Sequence, residues 1–594
     1  MVDSGELTSS DSQPQEHHLR LAVPASLEKF DNRFTEWAWG LLKLDFTGIA
    51  FAAFFFCWSL TPSLLPRDWL FQGLIGGINS AIGYGVGTAI GWAVERYLLS
   101  GRRWWPLPEP VPSAIKVFVP VASIVAAIIM LVYAAGWQRE IAALTDAEGT
   151  TTSGYIRTLG LSLFIGGLLI SIWRVLHDLV KLIARQLMRR FHWSRSVANG
   201  VGVLVVTVLF FMLVDGVLVR GIYAATNSIF SLQNSTTRDG VVEPQDPMKS
   251  GSPESAAPWD TLGFEGRNFV SRGLDAQELE AATGKPAMDP IRVYAGLESA
   301  EDPEERMDLV IKELERTGAF QRKVLVVIPT TGTGWVNPTA AQAIELVHGG
   351  DTALVASQYS YLPSWISFLA DQEKAQAAGR LLIERVHERW LQEPEATRPK
   401  FMVYGESLGV MAGAGAFDTL QAARDTADGI LWVGPPNATQ LWRSIEKRRD
   451  PGTPEVAPVY ADGLAGVRFA DRSADIPTDG MTWPQPRVLF VQHPSDPVVW
   501  WSPDLMFNRP EWLKEVPGFD RSPSMKWFPV VTFWQVSADL GNAAGVPDGH
   551  GHNYGTSVLD AWISVTQPEG WTAAETERVR SALVVAVKSE GPEK

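Results

Sequence analysis

Ser407 stands between two glycines in Tyr404-Gly405-Glu406-Ser407-Leu408-Gly409, directly after the apolar run Phe401-Met402-Val403. A small-residue helical pattern, Val410 to Phe417, follows. A strand, a sharp turn and a helix in that order lift a serine hydroxyl out of a sheet and aim backbone N–H groups at an anion forming beside it. A serine is a poor nucleophile at neutral pH. It needs a base within hydrogen-bond reach, and the base needs a carboxylate to fix its tautomer and stabilise its charged form. Downstream, Asp496 lies in His493-Pro494-Ser495-Asp496-Pro497, with Asp504 the next candidate acid. Gly549-His550-Gly551-His552-Asn553-Tyr554 offers two bases. His552 is favoured because Asn553 and Tyr554 are polar neighbours able to position it, and His550 is the alternative. Asp539, Asp548 and His493 read as turn or surface residues. The oxyanion donors expected are the N–H of Leu408 and that of Thr331, with Gly332 close behind, in the loop Thr330-Thr331-Gly332-Thr333-Gly334-Trp335. That loop lacks the terminal Lys-Ser/Thr of a phosphate-binding loop. No cofactor is implied. A metal site on His550 and His552 lacks a supporting set of Glu or Cys ligands, so none is expected.

These residues need a scaffold that brings them to one edge. Lys323–Pro329, Thr352–Ser357, Phe401–Tyr404, Gly429–Val433, Arg487–Gln492 and Val530–Val536 read as buried strands, with a long helix over Phe368–Trp390 between them. Near-continuous apolar strands separated by helices indicate a mostly parallel sheet covered on both faces. Functional groups then gather at the carboxyl ends of the strands. The chain order Ser, Asp, His is that of an α/β-hydrolase domain, expected over residues 260–594.

The N-terminal third has another character. Of the 594 residues, 46% are hydrophobic and 20% charged, which is apolar for a water-soluble protein. Five apolar runs precede residue 230: Phe46–Leu65, Leu70–Val94, Ala114–Ala135, Gly154–Trp173 and Val197–Tyr223. Each approaches or exceeds the ~20 residues that cross a bilayer as a helix, so residues 46–228 read as a transmembrane region of about five spans. Arg96, Arg102 and Arg103 lie in one connection, and Arg174, Lys181, Arg185, Arg189, Arg190 and Arg195 in another. Glu140, Asp146 and Glu148 lie between the third and fourth runs. The positive-inside rule then puts the N-terminus inside and the C-terminal domain outside the cytoplasmic membrane. Leu176, Leu179, Val180, Ile183 and Leu187 form an apolar face beside basic residues. It reads either as a helix on the inner leaflet or as an extension of the fourth span. Residues 1–45 form a polar tail expected to be largely disordered, and 229–259 a linker rich in Ser, Pro, Gly and Asn. The single cysteine, Cys57, excludes an intrachain disulfide. The net charge of −15, without a basic stripe in the C-terminal half, excludes nucleic acid as a partner.

Together these features resemble the membrane-anchored α/β-hydrolases found mainly in actinobacteria, known as α/β-hydrolase family 9. Ser59-Leu60-Thr61-Pro62-Ser63-Leu64-Leu65-Pro66-Arg67 is similar to that family's membrane signature. Thr330–Pro338, Gly405–Gly409 and Gly549–Tyr554 are similar to its hydrolase signatures. The resemblance implies a serine-hydrolase site and leaves the substrate open. The function expected is an esterase or lipase-like enzyme of the cell membrane. It would act from the bilayer on a lipid or an acylated envelope ester, with Trp335, Trp365, Trp432, Trp442, Trp500 and Trp501 available to line an acyl site. Acyl transfer through the same triad is the nearest alternative, and a transport or scaffold protein with a vestigial hydrolase domain the more distant one. Nothing in the sequence fixes an oligomeric state.

Overall fold

The computed structural model describes residues 44–99, 111–148, 152–476 and 483–589. They belong to two compact units, Met1–Phe54 with Ile82–Ile128, and Phe55–Ala81 with Ile129–Lys594. The polar tail up to residue 43 and the basic pair Arg102 and Arg103 lie outside the described residues.

The N-terminal helices are α1 (Phe46–Ser59), α2 (Trp69–Ala93), α3 (Val111–Leu144), α4 (Thr152–Phe191) and α5 (Arg195–Leu213). A π-helical stretch, Val214–Val219, leads without a break into α6 (Arg220–Asn234). Among the described residues, three segments are long and apolar enough to cross a membrane: Phe118–Leu144, Gly154–Phe191 and Arg195–Asn234. This corrects the expectation of five spans. The first apolar run stops at Ser59 because Pro62 and Pro66 follow, and proline has no N–H to continue a helix. The 14 residues of α1 reach only ~21 Å, short of the ~30 Å hydrocarbon layer. In α2, Gln72, Asn79, Ser80, Thr88 and repeated glycines dilute an otherwise apolar segment. The basic stretch after Trp173 continues α4 as one helix. In the first unit, the Thr47 hydroxyl donates to the Gly87 carbonyl at 2.8 Å, joining α1 to α2. In the second unit, the Ser162 hydroxyl donates to Gly73 at 2.9 Å, joining the start of α2 to α4.

The C-terminal half is a seven-stranded sheet in the order β1-β3-β2-β4-β5-β7-β6. The strands are β1 (Ile291–Ala295), β2 (Val324–Pro329), β3 (Thr352–Ser357), β4 (Lys400–Glu406), β5 (Gly429–Val433), β6 (Val467–Ala470) and β7 (Arg487–Val491). Every neighbouring pair is parallel. The strands are buried because helices cover both faces, and an apolar core lies on each side. Five of the six strands expected from sequence are present. Val530–Val536 is not one of them: Val531–Asp539 is a helix. Its Val531, Gln535 and Asp539 recur at i, i+4 and i+8, the spacing of one helix face, and all three are buried. The edge strands β1 and β6 carry no strong signal. In β1, Arg292 interrupts the apolar run, and its guanidinium is buried in a bidentate pair with Glu345 at 2.8 Å for both contacts.

Residues 235–258 run along the hydrolase half and are fastened to it. Arg267 donates to the carbonyl of Thr236 at 2.5 Å, and Glu313 accepts from Ser250 at 2.9 Å and from the N–H of Ala256 at 2.7 Å.

Candidate active site

Ser407 follows β4 with φ 56° and ψ −125°, between the strand and the helix Leu408–Ala414. This is a sparsely allowed backbone for a residue with a side chain, and such strain gathers at reactive turns. The flanking glycines are required by close approach. A Cβ on Gly405 would lie 2.7 Å from the Gly409 carbonyl oxygen and equally close to the Trp432 ring, and one on Gly409 would lie 2.5 Å from the carbonyl oxygen of Pro329. The register Gly405↔Trp432 and Glu406↔Val433 sets the elbow at the carboxyl end of β5 as well. The Ser407 N–H donates to the Val433 carbonyl at 2.9 Å.

The next residue, Gly434, touches the candidate base: a Cβ there would lie 2.6 Å from Cε1 of His552. His552 Nδ1 meets Asp496 Oδ2 at 2.7 Å. Asp496 follows β7 and caps the short helix Pro497–Trp500, accepting the Val498 N–H at 2.8 Å. The Tyr554 hydroxyl donates to Oδ2 of Asp496, the oxygen that His552 meets, at 2.7 Å. With Nδ1 engaged, the buried Nε2 of His552 has no hydrogen-bond partner among the described residues. Burial is the largest single influence on this ring and works against its charge. The Asp496 carboxylate, with Glu406 behind it, outweighs burial, so the His552 pKa lies above the ordinary histidine value. The structure thus brings Ser407, Asp496 and His552 to neighbouring strand ends. Asp504 is exposed, in the first turn of the 3-10 helix Pro503–Met506.

His550 has different surroundings. Its Nδ1 meets Asp520 at 3.2 Å and its Nε2 faces Asp146 at 3.5 Å. Asp520 also accepts from Ser495 at 2.5 Å, and Ser495 in turn accepts the Gly551 N–H at 2.8 Å. His493, expected at a turn or surface, is fully buried, with Nδ1 2.9 Å from the Gly551 carbonyl and its ring stacked on Tyr554 at 4.1 Å. Both faces of the histidine loop are therefore held.

Leu408 opens the helix after the serine, and Thr331 follows β2 with a buried side chain. The loop carrying Thr331 is tied to the elbow by Asn337, whose side-chain amide donates to Glu406 at 2.7 Å. The Tyr404 hydroxyl donates to the same Glu406 oxygen at 2.5 Å. Burial pushes the Glu406 carboxyl above its usual range against the opposing pull of Tyr404 and His552. Sequence reasoning passed over Glu406 as a spacer within Gly-x-Ser-x-Gly. Its one signal was a charged residue next to the nucleophile.

Of the tryptophans considered for an acyl site, Trp432, Trp442 and Trp500 are core residues, and Trp501 is half-buried against Phe368. Trp335 lines a cavity beside Thr331, and Trp365 is 64% exposed.

Beneath the histidine loop lies the segment Ser59–Arg67. Asp539, read from sequence as a turn or surface residue, is fully buried. It accepts from the Ser63 hydroxyl and, at 3.0 Å, from the Leu64 N–H. Its other oxygen pairs with Arg67 at 3.2 Å. Gln535 donates to the Thr61 carbonyl at 2.9 Å. Leu65 is fully buried and reaches to 3.3 Å from a Cβ position on Gly551, next to His552.

Residues 291–579 match the model of an alpha/beta-hydrolase family. Residues 60–273 match the model of that family's N-terminus, which begins within the Ser59–Arg67 segment. No curated protein and no solved structure matches the chain. The two matches follow one another along most of the sequence, and the chain belongs to this alpha/beta-hydrolase family.

Proposed function

We propose that the protein is a membrane-anchored serine hydrolase that cleaves a carboxylic ester of a lipid or acylated envelope component outside the cytoplasmic membrane. The observation that carries this is the 2.7 Å contact of His552 Nδ1 with Asp496, with the other ring nitrogen unpaired beside the strand end that also receives Ser407. In the reaction, His552 Nε2 takes the Ser407 proton as Oγ bonds to the ester carbonyl carbon. The N–H groups of Leu408 and Thr331 hold the resulting oxyanion. His552 then gives the proton to the departing alkoxide, and water repeats the sequence on the acyl-serine to release the acid.

The outward placement is supported from two sides. The acidic connection after α3 touches the hydrolase half through Asp146 and His550, and Glu140 accepts from Ser522 at 2.7 Å. The basic residues Arg189, Arg190 and Arg195 lie at the opposite ends of α4 and α5.

A fluorophosphonate probe tests the chemistry. The purified full chain should be labelled on Ser407, and Ser407→Ala should abolish labelling and lower esterase activity by about 10³-fold or more while the protein stays folded. Full labelling of the alanine variant would overturn the assignment.

A further inference from the structure

One stretch of the hydrolase half is tied to the ends of two apolar helices. From Phe118 to Trp137, α3 carries no charged residue, and about 20 residues at 1.5 Å each cover the ~30 Å hydrocarbon layer. Gln138, Arg139 and Glu140 follow, so the helix turns polar at this level, with Trp137 in the place of an interfacial aromatic. Glu140 accepts from the Ser522 hydroxyl at 2.7 Å. Further along the same stretch, Phe528 stacks on Trp58, the next-to-last residue of α1, with ring centroids 4.9 Å apart. Residues 522–530 are thus pinned at two points, to the polar end of one membrane helix and to the last turn of a second apolar helix.

A second turn, residues 503–509, is fastened to that stretch. The Val530 N–H donates to the Met506 carbonyl at 2.8 Å, and the Trp527 indole donates to the Leu505 carbonyl at 2.8 Å. Phe507, next to Met506, is 71% exposed, and Pro529 is exposed as well. Val530 has φ 66° and ψ −46°, and the Val531 N–H donates to the Pro529 carbonyl at 2.7 Å. This is a γ-turn of the rare, strained kind. A β-branched residue keeps such a backbone only where its surroundings hold it, and the bond to Met506 does so. A single exposed ring is ordinary on a surface in water. Here the ring sits on a rigid turn bonded to the stretch that is pinned at the membrane boundary.

We infer that Phe507, with Pro529 and Val530 of the turn bonded to it, enters the lipid surface on the hydrolase side and rests that half of the chain on the bilayer. The occupant of this apolar lip is the headgroup and upper acyl region of the same membrane that the apolar helices cross. The charges on the two turns fit it: Arg509 and Lys526 are exposed against one exposed carboxylate, Asp504. Such basic side chains lay their stems along apolar surface and keep their heads among phosphates. The inference is independent of the hydrolase chemistry and rests on the membrane-spanning reading of the helices.

Cys57 is the single cysteine, so Cys57→Ser clears the full chain for labelling at chosen sites. In that background Phe507→Cys, Val585→Cys and Leu204→Cys each receive a nitrobenzoxadiazole fluorophore, and the protein is placed in phosphatidylglycerol–phosphatidylcholine nanodiscs. Val585, 68% exposed on the helix Ala573–Ser589, is the water control, and Leu204, 62% exposed on α5, is the lipid control. Phospholipids carry a nitroxide either close to the ester or near the middle of the acyl chain. The nitroxide close to the ester should quench the Phe507 probe about twofold or more beyond the Val585 probe, and aqueous iodide should quench it less. Equal quenching at Phe507 and Val585, with Leu204 quenched by the mid-chain nitroxide, would overturn the inference alone. If the Leu204 probe also escapes both nitroxides, the membrane-spanning reading falls together with it. A protein that shows the Phe507 contrast yet hydrolyses no ester keeps the lipid contact and loses the hydrolase proposal.

Discussion

His552 and His550 stand two residues apart on one loop, and each has an aspartate oxygen on its Nδ1, Asp496 at 2.7 Å and Asp520 at 3.2 Å. They differ at the second nitrogen. Nε2 of His552 is buried and unpaired among the described residues, whereas Nε2 of His550 has the Asp146 carboxylate 3.5 Å away. The aspartates differ as well. Asp496 is shared with the N–H of Val498 and the Tyr554 hydroxyl at the end of β7, while Asp520 is engaged by Ser495, which holds the Gly551 N–H. A histidine–aspartate pair therefore does not identify a base. One pair leaves a nitrogen available beside the end of β5, to which the Ser407 N–H is bonded, and the other fastens the loop on which the first is mounted.

The largest effect should separate the two rings directly. His552→Ala should lower hydrolysis by about 10³-fold or more, nearly as far as Ser407→Ala, because triad members act as a unit. His550→Ala should keep at least about a few per cent of activity, having lost loop support only. Steady-state rates on a soluble ester measure both. Reversed results would exchange the roles of the two histidines, and full activity in both variants would remove the triad altogether.

The aspartates sharpen the same contrast. Asp496→Asn should cost about 10²-fold or more in kcat, and Asp520→Asn less than about tenfold. The pH profile adds a readout that a merely structural role would not move. The base acts when neutral, so kcat/KM should fall with acid from a point above the ordinary histidine pKa, since Asp496 and Glu406 outweigh burial. Asp496→Asn removes most of the upward influence and leaves burial, so the residual activity should fall at lower pH. A limb that stays in place would detach Asp496 from His552.

How much of this was legible depends on range. The central strands β2, β3, β4, β5 and β7 declare themselves as short apolar runs, because parallel strands buried on both faces have no polar side to show. Val531–Asp539 is apolar and β-branched at its start and so imitates a strand. What decides in favour of a helix is a partner more than 450 residues away in sequence, the segment that contacts Gln535 and Asp539. Asp539 and His493 looked like turn residues for the same reason: their partners, Arg67 and the Gly551 carbonyl, are distant in sequence. That Ser407, Asp496 and the histidine loop come to one edge was legible because a parallel sheet gathers the loops after its strands there. The difference in surroundings between His550 and His552 was not, since it is set by Asp520, Ser495 and Asp146, which no local pattern connects to the loop. The apolar runs also overcounted the spans, because hydropathy does not register that Ser59–Arg67 leaves the helix to dock under the histidine loop.

That docking yields a smaller test. Arg67 and Asp539 are both almost wholly buried. Removing one partner leaves a buried charge, so Arg67→Met should destabilise the full chain by about 3–5 kcal/mol. The double variant Arg67→Met/Asp539→Leu should recover much of the loss, because no unpaired charge remains. Thermal denaturation in detergent reads this, and fluorophosphonate labelling reports whether the histidine loop follows. If Arg67→Met melted like the wild type, the membrane signature would be a tether and not a support for the site.

The smallest effect concerns His550 as a fastener. Its hydrogen bond to Asp520 is the largest influence on it and raises its pKa above the ordinary value, with burial opposing and Asp146 assisting. A histidine whose folded pKa is raised contributes stability that is fully present below its unfolded pKa of about 6.5 and is lost as pH rises through the folded value. His550→Gln should therefore lower Tm by a few degrees at about pH 5.5, and the gap to the wild type should narrow at about pH 8.5. His552→Gln tests the contrast, since its ring is also raised by an aspartate but lies against the elbow: its Tm gap should narrow in the same direction while its activity is lost at every pH. A Tm gap for His550→Gln that widened with rising pH would mean that the neutral ring does the fastening, and the two arms of the loop would then differ in location alone.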